Sequence, residues 1–125
     1  MKPRHFRDLQ VWQRSMCLTR DVFHFTEAFP RAQMFGLTSQ MQRAAIPVPS
    51  NIAEGHGRLT DRSFAQFLSQ ARGSLNELET QAELAHDLGF VTTAACQELL
   101  IEIEEIAKML NALLSAVRRT DRTSR

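Results

Sequence analysis

Apolar residues that recur every three or four positions dominate the second half of this chain, and they constrain its fold more than any other feature. One such run extends from residue 64 to residue 88, and a second extends from residue 99 to residue 117. The first run consists of Phe64, Phe67, Leu68, Ala71, Leu75, Leu78, Ala82, Ala85 and Leu88. The second run consists of Leu99, Ile103, Ile106, Leu110, Leu113 and Val117. Because this spacing matches the turn of an α-helix, the sequence predicts two long amphipathic helices.

Both apolar runs are flanked by residues that commonly begin or end helices. Thr60 or Asp61 can cap the first helix, and Thr92 or Thr93 can cap the second, because their side-chain oxygens accept hydrogen bonds from free backbone amides. Gly89 follows the first run and precedes an apolar residue, which predicts a left-handed glycine cap at the end of that helix.

Two features of these helices predict close contacts with other helices. Gly73 interrupts the first at a cost of about 1 kcal/mol relative to alanine, which predicts that another backbone packs closely there. The helix that contains the second run is expected to end at Arg118 and carries an additional apolar line of Leu100, Ala107 and Leu114. Its apolar face is then wider than one bundle core requires, which predicts that part of it forms an oligomer interface.

The first half of the chain predicts two further helices. One is expected over residues 8–27, capped by Asp8, and it ends before Phe29-Pro30 because proline disfavours helical torsions in the preceding residue. Its apolar stripe consists of Leu9, Trp12, Met16 and Phe23.

The other helix is expected from Thr38, its N-cap, to His56. Pro47 and Pro49 lie in its middle, and each removes an amide donor, so we expect a kink or a break into two short helices. Gly55 and Gly57 are expected to end it in the left-handed conformation. Short connections favour antiparallel neighbours. The predicted fold is all-α: an antiparallel up-down-up-down four-helix bundle with a kinked second helix.

A chain of 125 residues suits a single domain, 1–125. We expect an ordered core at about 6–118 and a flexible C-terminal tail at 119–125. Cys17 and Cys96 make no disulfide framework and are expected to be small buried hydrophobic residues. No apolar stretch approaches the ~20 residues that span a bilayer, and no signal peptide is recognised, which favours a cytoplasmic protein without a membrane partner.

The net charge of +1 conceals an uneven distribution along the sequence. Residues 1–72 hold ten basic and five acidic side chains (+5), residues 73–117 hold one basic and eight acidic (−7), and residues 118–125 hold four basic and one acidic (+3). Arginines clustered on one face could neutralise phosphates and bind nucleic acid. The candidates are Arg4, Arg7, Arg14, Arg58, Arg62, Arg72, Arg118 and Arg119. The alternative is an ordinary solvated surface with Arg–Glu pairs inside the chain.

The sequence offers little support for catalysis. Di-iron bundles use paired Glu-x-x-His motifs, and this chain has a single one, from Glu83 to His86. It also lacks a nucleophile elbow, a phosphate loop and a dinucleotide fingerprint. We therefore predict no catalytic residues, no metal and no cofactor, and interpret the chain as a binding or assembly module that is not an enzyme.

Two stretches are more distinctive than any periodicity. The first is Leu37-Thr38-Ser39-Gln40-Met41-Gln42-Arg43-Ala44-Ala45, continuing to Pro49-Ser50-Asn51-Ile52-Ala53-Glu54-Gly55 and Gly57-Arg58. The second is Phe64-Ala65-Gln66-Phe67-Leu68, Ala71, Gly73-Ser74-Leu75 and Glu77-Leu78-Glu79-Thr80. With Phe6-Arg7-Asp8-Leu9 and Trp12, these motifs resemble the bacterial 23S rRNA intervening-sequence protein family, also called four helix bundle proteins or S23 ribosomal proteins, over about residues 6–115.

The resemblance implies a four-helix bundle that assembles into a homopentameric ring. The accessory variability protein of diversity-generating retroelements has a similar fold and is a basic pentamer that works with a reverse transcriptase and nucleic acid. The resemblance implies no established activity for most members. It favours a homo-oligomer associated with RNA or DNA, and the alternative is a protein–protein interaction scaffold that binds no nucleic acid.

Five polar residues of these motifs stand among the expected core positions of the second and third helices. They are Gln40, Arg43, Asn51, Glu54 and Glu77. Because buried polar groups must be paired, we predict a structural network in which Arg43 pairs with Glu54 or Glu77, and Asn51 bonds backbone that Pro49 leaves free.

Overall fold

The computed structural model describes residues 5–123, with side chains described from residue 5 to residue 121. Its α-helices are α1 (Gln10–Thr26), α2 (Leu37–Ala45), α3 (Pro47–His56), α4 (Asp61–Asp87) and α5 (Thr93–Thr123). Single turns of 3-10 helix occupy Phe6–Asp8 and Arg31–Gln33. Within residues 5–123 there is no strand, and no helix is both long and apolar enough to cross a membrane.

The helices form a bundle in which α2 and α3 act together as one broken helix. α1 packs against this broken helix and against α5, and α4 packs against the same two partners. Neighbouring helices run antiparallel: Arg72 of α4 donates to Asn111 of α5 at 3.2 Å, whereas Cys96, near the start of α5, donates to the Ala82 carbonyl at 3.5 Å. The predicted antiparallel four-helix bundle is confirmed.

Proline breaks the second helix at the expected place. α2 ends at Ala45 and α3 begins at Pro47, while Ile46 keeps right-handed helical torsions (φ −55°, ψ −43°). Pro49 cannot donate to the Ala45 carbonyl, which accepts instead from the Thr19 hydroxyl of α1 at 3.3 Å. A neighbouring helix therefore replaces a donor that the broken helix lacks.

The buried face of α1 differs from the predicted stripe. Val11, Leu18 and Val22 are buried, together with Ser15, whose hydroxyl donates to the Val11 carbonyl at 2.6 Å. Phe23 is 40% exposed, and the other members of the stripe, Leu9, Trp12 and Met16, are half-buried. Leu9 and Trp12 pack against the core, so the prediction was right for these two and wrong for Met16 and Phe23. Aliphatic residues and a serine satisfied by its own helix occupy the buried positions that it missed.

Three predicted helix ends are found. The hydroxyl of Thr60 accepts from the Ser63 amide at 3.1 Å, and that of Thr92 accepts from the Ala95 amide at 3.1 Å. Gly89 has φ +77°, the only positive φ among residues 5–123. These caps determine where α4 and α5 begin and where α4 ends.

Other helix ends differ from the prediction. α1 and α2 have Leu9 and Gly36 at their N-cap positions, and neither supplies a side-chain acceptor, so Asp8 and Thr38 are not the caps. α5 continues through residue 123 instead of ending at residue 118. The flexibility of residues 119–125 stays a prediction.

Close helix packing occurs at Gly55 and not at Gly73. A Cβ on Gly55 would lie 2.7 Å from the Cβ of Phe67 and 3.0 Å from Cδ1 of Phe64, so no side chain fits between α3 and α4 there. A Cβ on Gly73 would have nothing within 4 Å. The predicted backbone contact at Gly73 was therefore wrong, and Gly55 is an interior helix residue instead of a left-handed cap.

Most of the additional apolar face of α5 is used inside the bundle. Leu114 is 1% exposed, and Leu100 and Ala107 pack against the core while staying partly accessible. In the described part of α5, the exposed large apolar residue is Ile101, at 58%. The oligomer interface predicted for this helix stays a prediction, with a smaller surface available to it.

The two cysteines occupy different environments. Cys96 is buried, as expected, and burial together with the charges of Glu83 and Asp87 raises the pKa of its thiol. Cys17 is exposed, so its predicted burial was wrong.

Candidate nucleic-acid interface

Five of the eight candidate arginines lie at one end of the bundle. This end consists of the N-terminal 3-10 turn, the connection between α3 and α4, and the last turns of α5, and we call it the basic end. Its arginines are Arg7, Arg58, Arg62, Arg118 and Arg119. They come from segments far apart in sequence, and the antiparallel arrangement of the helices brings these segments together.

Two of these arginines line the same groove. Arg62, in the first turn of α4, and Arg118, near the end of α5, border a depression of about 530 Å³ between the two helices. Arg118 donates from Nη2 to the Ser69 hydroxyl at 3.4 Å, and Asp121 adds one carboxylate to the groove. Guanidinium groups in such an arrangement present several donors to an anionic group such as a phosphate.

Arg58 is held in place by its own chain. Its Nη2 lies 3.1 Å from Oε1 of Glu54, and its Cζ lies 4.6 Å from the centre of the Phe67 ring. The ion pair offsets part of its charge, and the stacking orients the guanidinium.

Arg7 and Arg119 have local partners as well. Arg7 donates from its backbone amide to Nδ1 of His5 at 3.1 Å, and its Cζ lies 5.2 Å from the centre of the Phe6 ring. Arg119 donates to the Ser115 hydroxyl at 3.5 Å. Both side chains are exposed.

The remaining candidates lie elsewhere. Arg14 of α1 forms an ion pair with Glu105 of α5, and the half-buried Arg72 bonds Asn111. Both are on seams between helices, where they link elements of the bundle. Arg4 lies outside the described residues.

The opposite end of the bundle is acidic. The connections between α1 and α2 and between α4 and α5, with the adjoining helix ends, carry Glu27, Glu83 and Asp87 beside one arginine, Arg31, within the described residues. Carboxylates also occur at the basic end, where Asp8, Asp61 and Asp121 lie among the five arginines, so the two ends differ less in net charge than the arginines alone suggest.

The predicted polar network does not form as a buried cluster. Gln40, Arg43 and Glu77 are exposed and line an open depression of about 280 Å³ between α2 and α4. Glu54 is also exposed and pairs with Arg58 instead of Arg43. Asn51 is half-buried, and the carbonyl freed by Pro49 is bonded by α1. That these residues set the register of the helices stays a prediction.

An acidic groove between α1 and α5 was not anticipated from the sequence. Asp21, His24, Glu98 and Glu102 line a depression of about 380 Å³. Burial raises the pKa of Glu102 to about 7, and two smaller causes add to it: the protonated Glu102 can donate a hydrogen bond to the Asp21 carboxylate, and the negative charge of Asp21 disfavours ionisation. No sequence signal pairs these carboxyl groups, because they lie on helices at opposite ends of the chain.

The Glu-x-x-His motif is not part of a metal centre in the described structure. His86 lies with its Nε2 3.0 Å from the Thr93 hydroxyl. Across residues 5–121, no three His, Cys, Asp or Glu side chains come close enough together to hold a metal ion.

Comparisons with known proteins agree with this architecture. Residues 7–112 match the family described as 23S rRNA-intervening sequence protein. The fold is similar to a crystal structure of a protein with unknown function from the S23 ribosomal protein family of Bacteroides thetaiotaomicron VPI-5482. That structure shares 20% sequence identity, with a TM-score of 0.75 over 83% of this chain and 97% of the other. A comparison with curated proteins finds no match.

Proposed function

Since the chain belongs to the 23S rRNA-intervening sequence protein family, we propose that it is a non-enzymatic, homo-oligomeric helical bundle that associates with RNA or DNA through its basic end. The observation that supports this proposal most is the concentration of five arginines from three parts of the chain at that end. Arginines that neutralise phosphates release counterions, which favours binding without base-specific contacts.

Oligomer formation would strengthen this surface. A ring places the basic ends of several protomers side by side, so that weak phosphate contacts act together. The family resemblance implies five protomers. Exposed apolar side chains such as Phe35 (93%), Ile101 (58%) and Leu84 (46%) are available for contacts between copies. Light scattering tests this part directly, and a monomer at micromolar concentration would contradict it.

The binding experiment is a titration of labelled RNA and DNA oligonucleotides at two salt concentrations, about 50 mM and about 200 mM. We expect affinity to fall steeply between the two, because each phosphate contact releases a counterion. Affinity independent of salt, or no binding of either nucleic acid, would reject the proposal. The proposed location of the protein is the cytoplasm.

A second candidate function is a protein–protein interaction scaffold. The observation in its favour is the set of exposed apolar residues at the acidic end, where Met34 is 53%, Phe35 93% and Leu88 54% exposed. A stoichiometric protein partner that remains bound after nuclease treatment, together with no measurable RNA or DNA binding, would favour the scaffold.

A further inference from the structure

Leu59 is a fully exposed apolar residue at the basic end. The amide of Arg58 makes the last backbone bond to α3, donating to the Gly55 carbonyl at 3.1 Å, and Thr60 is the N-cap of α4. Leu59 is the single residue between these two anchored positions. The residue has a relative exposure of 102%. Leu59 is therefore exposed on a short connection that is hydrogen-bonded on both sides of it.

The usual structural role of a leucine at this position is not used here. An apolar residue just before an N-cap commonly packs against the residue four positions after the cap, forming a hydrophobic staple. That residue is Phe64, which is 3% exposed and instead packs against His56 (ring centroids 6.2 Å apart) and beside Gly55. Leu59 has the sequence position of a staple without the contact.

Two guanidinium groups and one carboxylate, that of Asp61, lie within three residues of this leucine. Arg58 precedes it and is oriented by Glu54 and Phe67, whereas Arg62 lies three residues after it and borders the α4–α5 groove. A single exposed leucine is ordinary on a protein surface. A leucine between two arginines, at the end assigned to nucleic acid, combines an apolar tip with groups that bind phosphate.

We infer that Leu59 is a wedge for an unstacked base step, so that the basic end selects nucleic acid with a bulge or strand junction over a regular duplex. Apolar side chains inserted between bases must overcome the stacking free energy, and at a bulge the stack is already open. Arg58 and Arg62 would hold the flanking phosphates. This inference rests on the proposed function and adds the kind of structure that is bound.

A lipid surface is less suited to this end. Leu59 is the one large apolar side chain that is exposed in the described part of the basic end. Stable attachment to a membrane surface requires a larger apolar face, whereas a single side chain is enough to occupy one base step.

The test compares two RNA hairpins that differ in one unpaired nucleotide, with 2-aminopurine placed beside the bulge. Affinity is measured by fluorescence anisotropy, and unstacking by the 2-aminopurine emission. We expect the full-length protein to bind the bulged hairpin about tenfold more tightly than the paired one and to raise its emission. Leu59→Ala should bring the two affinities within about twofold without changing the salt dependence, which the arginines determine.

Two matched variants distinguish a specific role of Leu59 from the effect of truncating any exposed leucine. Leu59→Met keeps an apolar side chain and should retain the preference, and Leu88→Ala, which truncates an exposed leucine at the acidic end, should behave like the unchanged protein. Equal binding of both hairpins by the unchanged protein, or a preference that survives Leu59→Ala, would overturn this inference alone. Binding of neither hairpin would overturn this inference, and the proposed function would fall with it if the RNA and DNA oligonucleotides of the salt titration also failed to bind. Leu59-dependent binding to anionic phospholipid vesicles, with no preference between hairpins, would assign the leucine to a membrane surface instead.

Discussion

Asp21 of α1 and Glu102 of α5 line one groove, and the proximity of the Asp21 carboxyl group raises the pKa of Glu102. Burial is the largest cause of the raised pKa of Glu102, about 7, and the hydrogen bond and charge of Asp21 add to it. The positive charge of Arg14 lowers the pKa of Glu102, and the negative charge of Glu105 raises it further. Below neutral pH a proton on Glu102 therefore allows the two acids to bond each other.

This pair predicts that stability declines as pH rises. Glu102 binds its proton more tightly in the folded chain than at its ordinary pKa of 4.5. Its contribution is therefore fully present below about pH 4.5 and is lost as pH rises through about 7. Urea denaturation between pH 5 and about pH 8 should show Glu102→Gln flattening this decline, because the amide cannot ionise.

The control for that experiment is Glu98→Gln, which removes an exposed carboxyl group from the same groove. It should leave the decline in place. An equal pH dependence in the unchanged protein and in Glu102→Gln would show that the Asp21–Glu102 pair does not control it.

The two helical glycines predict opposite responses to alanine. Gly55→Ala should lower the free energy of unfolding by about 1–3 kcal/mol, because its Cβ would collide with Phe67 Cβ across the α3–α4 contact. Gly73→Ala should raise it by about 0.5–1 kcal/mol, because the position is open and alanine favours helix. Thermal or urea unfolding of both variants measures the difference, and a change of the same sign in both would contradict the packing described.

Gln81 is a buried side chain with an unsatisfied acceptor. It is 7% exposed, and its Oε1 has no hydrogen-bond partner among the described residues. Gln81→Met has similar length and no amide to satisfy, so it should raise the free energy of unfolding by about 1 kcal/mol. Gln70→Met, at an exposed position of the same helix, should change stability by less than about 0.5 kcal/mol. Destabilisation by the first variant would indicate that the amide is bonded in solution.

Individual arginines should contribute unequally to nucleic-acid binding. Arg62→Ala should reduce the slope of log affinity against log salt by about 0.7–0.9 for one lost phosphate contact. Arg14→Ala should leave the slope unchanged, because that arginine pairs with Glu105 away from the basic end. Equal effects of the two substitutions would argue for diffuse charge attraction without a defined surface.

The helices of the second half were predictable because their evidence is local. The run from Phe64 to Leu88, the caps at Thr60 and Thr92, and the glycine at residue 89 each act within a few residues of the chain. Proline at positions 47 and 49 acts equally locally, and it breaks the second helix where expected.

Features that depend on a partner helix were not predictable in this way. Gly55 and Gly73 are both glycines in helical segments, and only the approach of α4 to α3 distinguishes them. The buried face of α1 likewise depends on the neighbouring helices, which bury Ser15 and leave Phe23 40% exposed.

The amino-acid sequence by itself determined the helices, their order and their antiparallel packing, because periodicity, caps and proline act through neighbouring residues of one chain. Only the tertiary structure decided which arginines share the basic end, that Arg43 and Glu77 are exposed at the surface, and that Asp21 meets Glu102. The physical reason is distance along the chain. Charge and burial at these sites are set by side chains from other helices, and their placement depends on how the whole bundle packs.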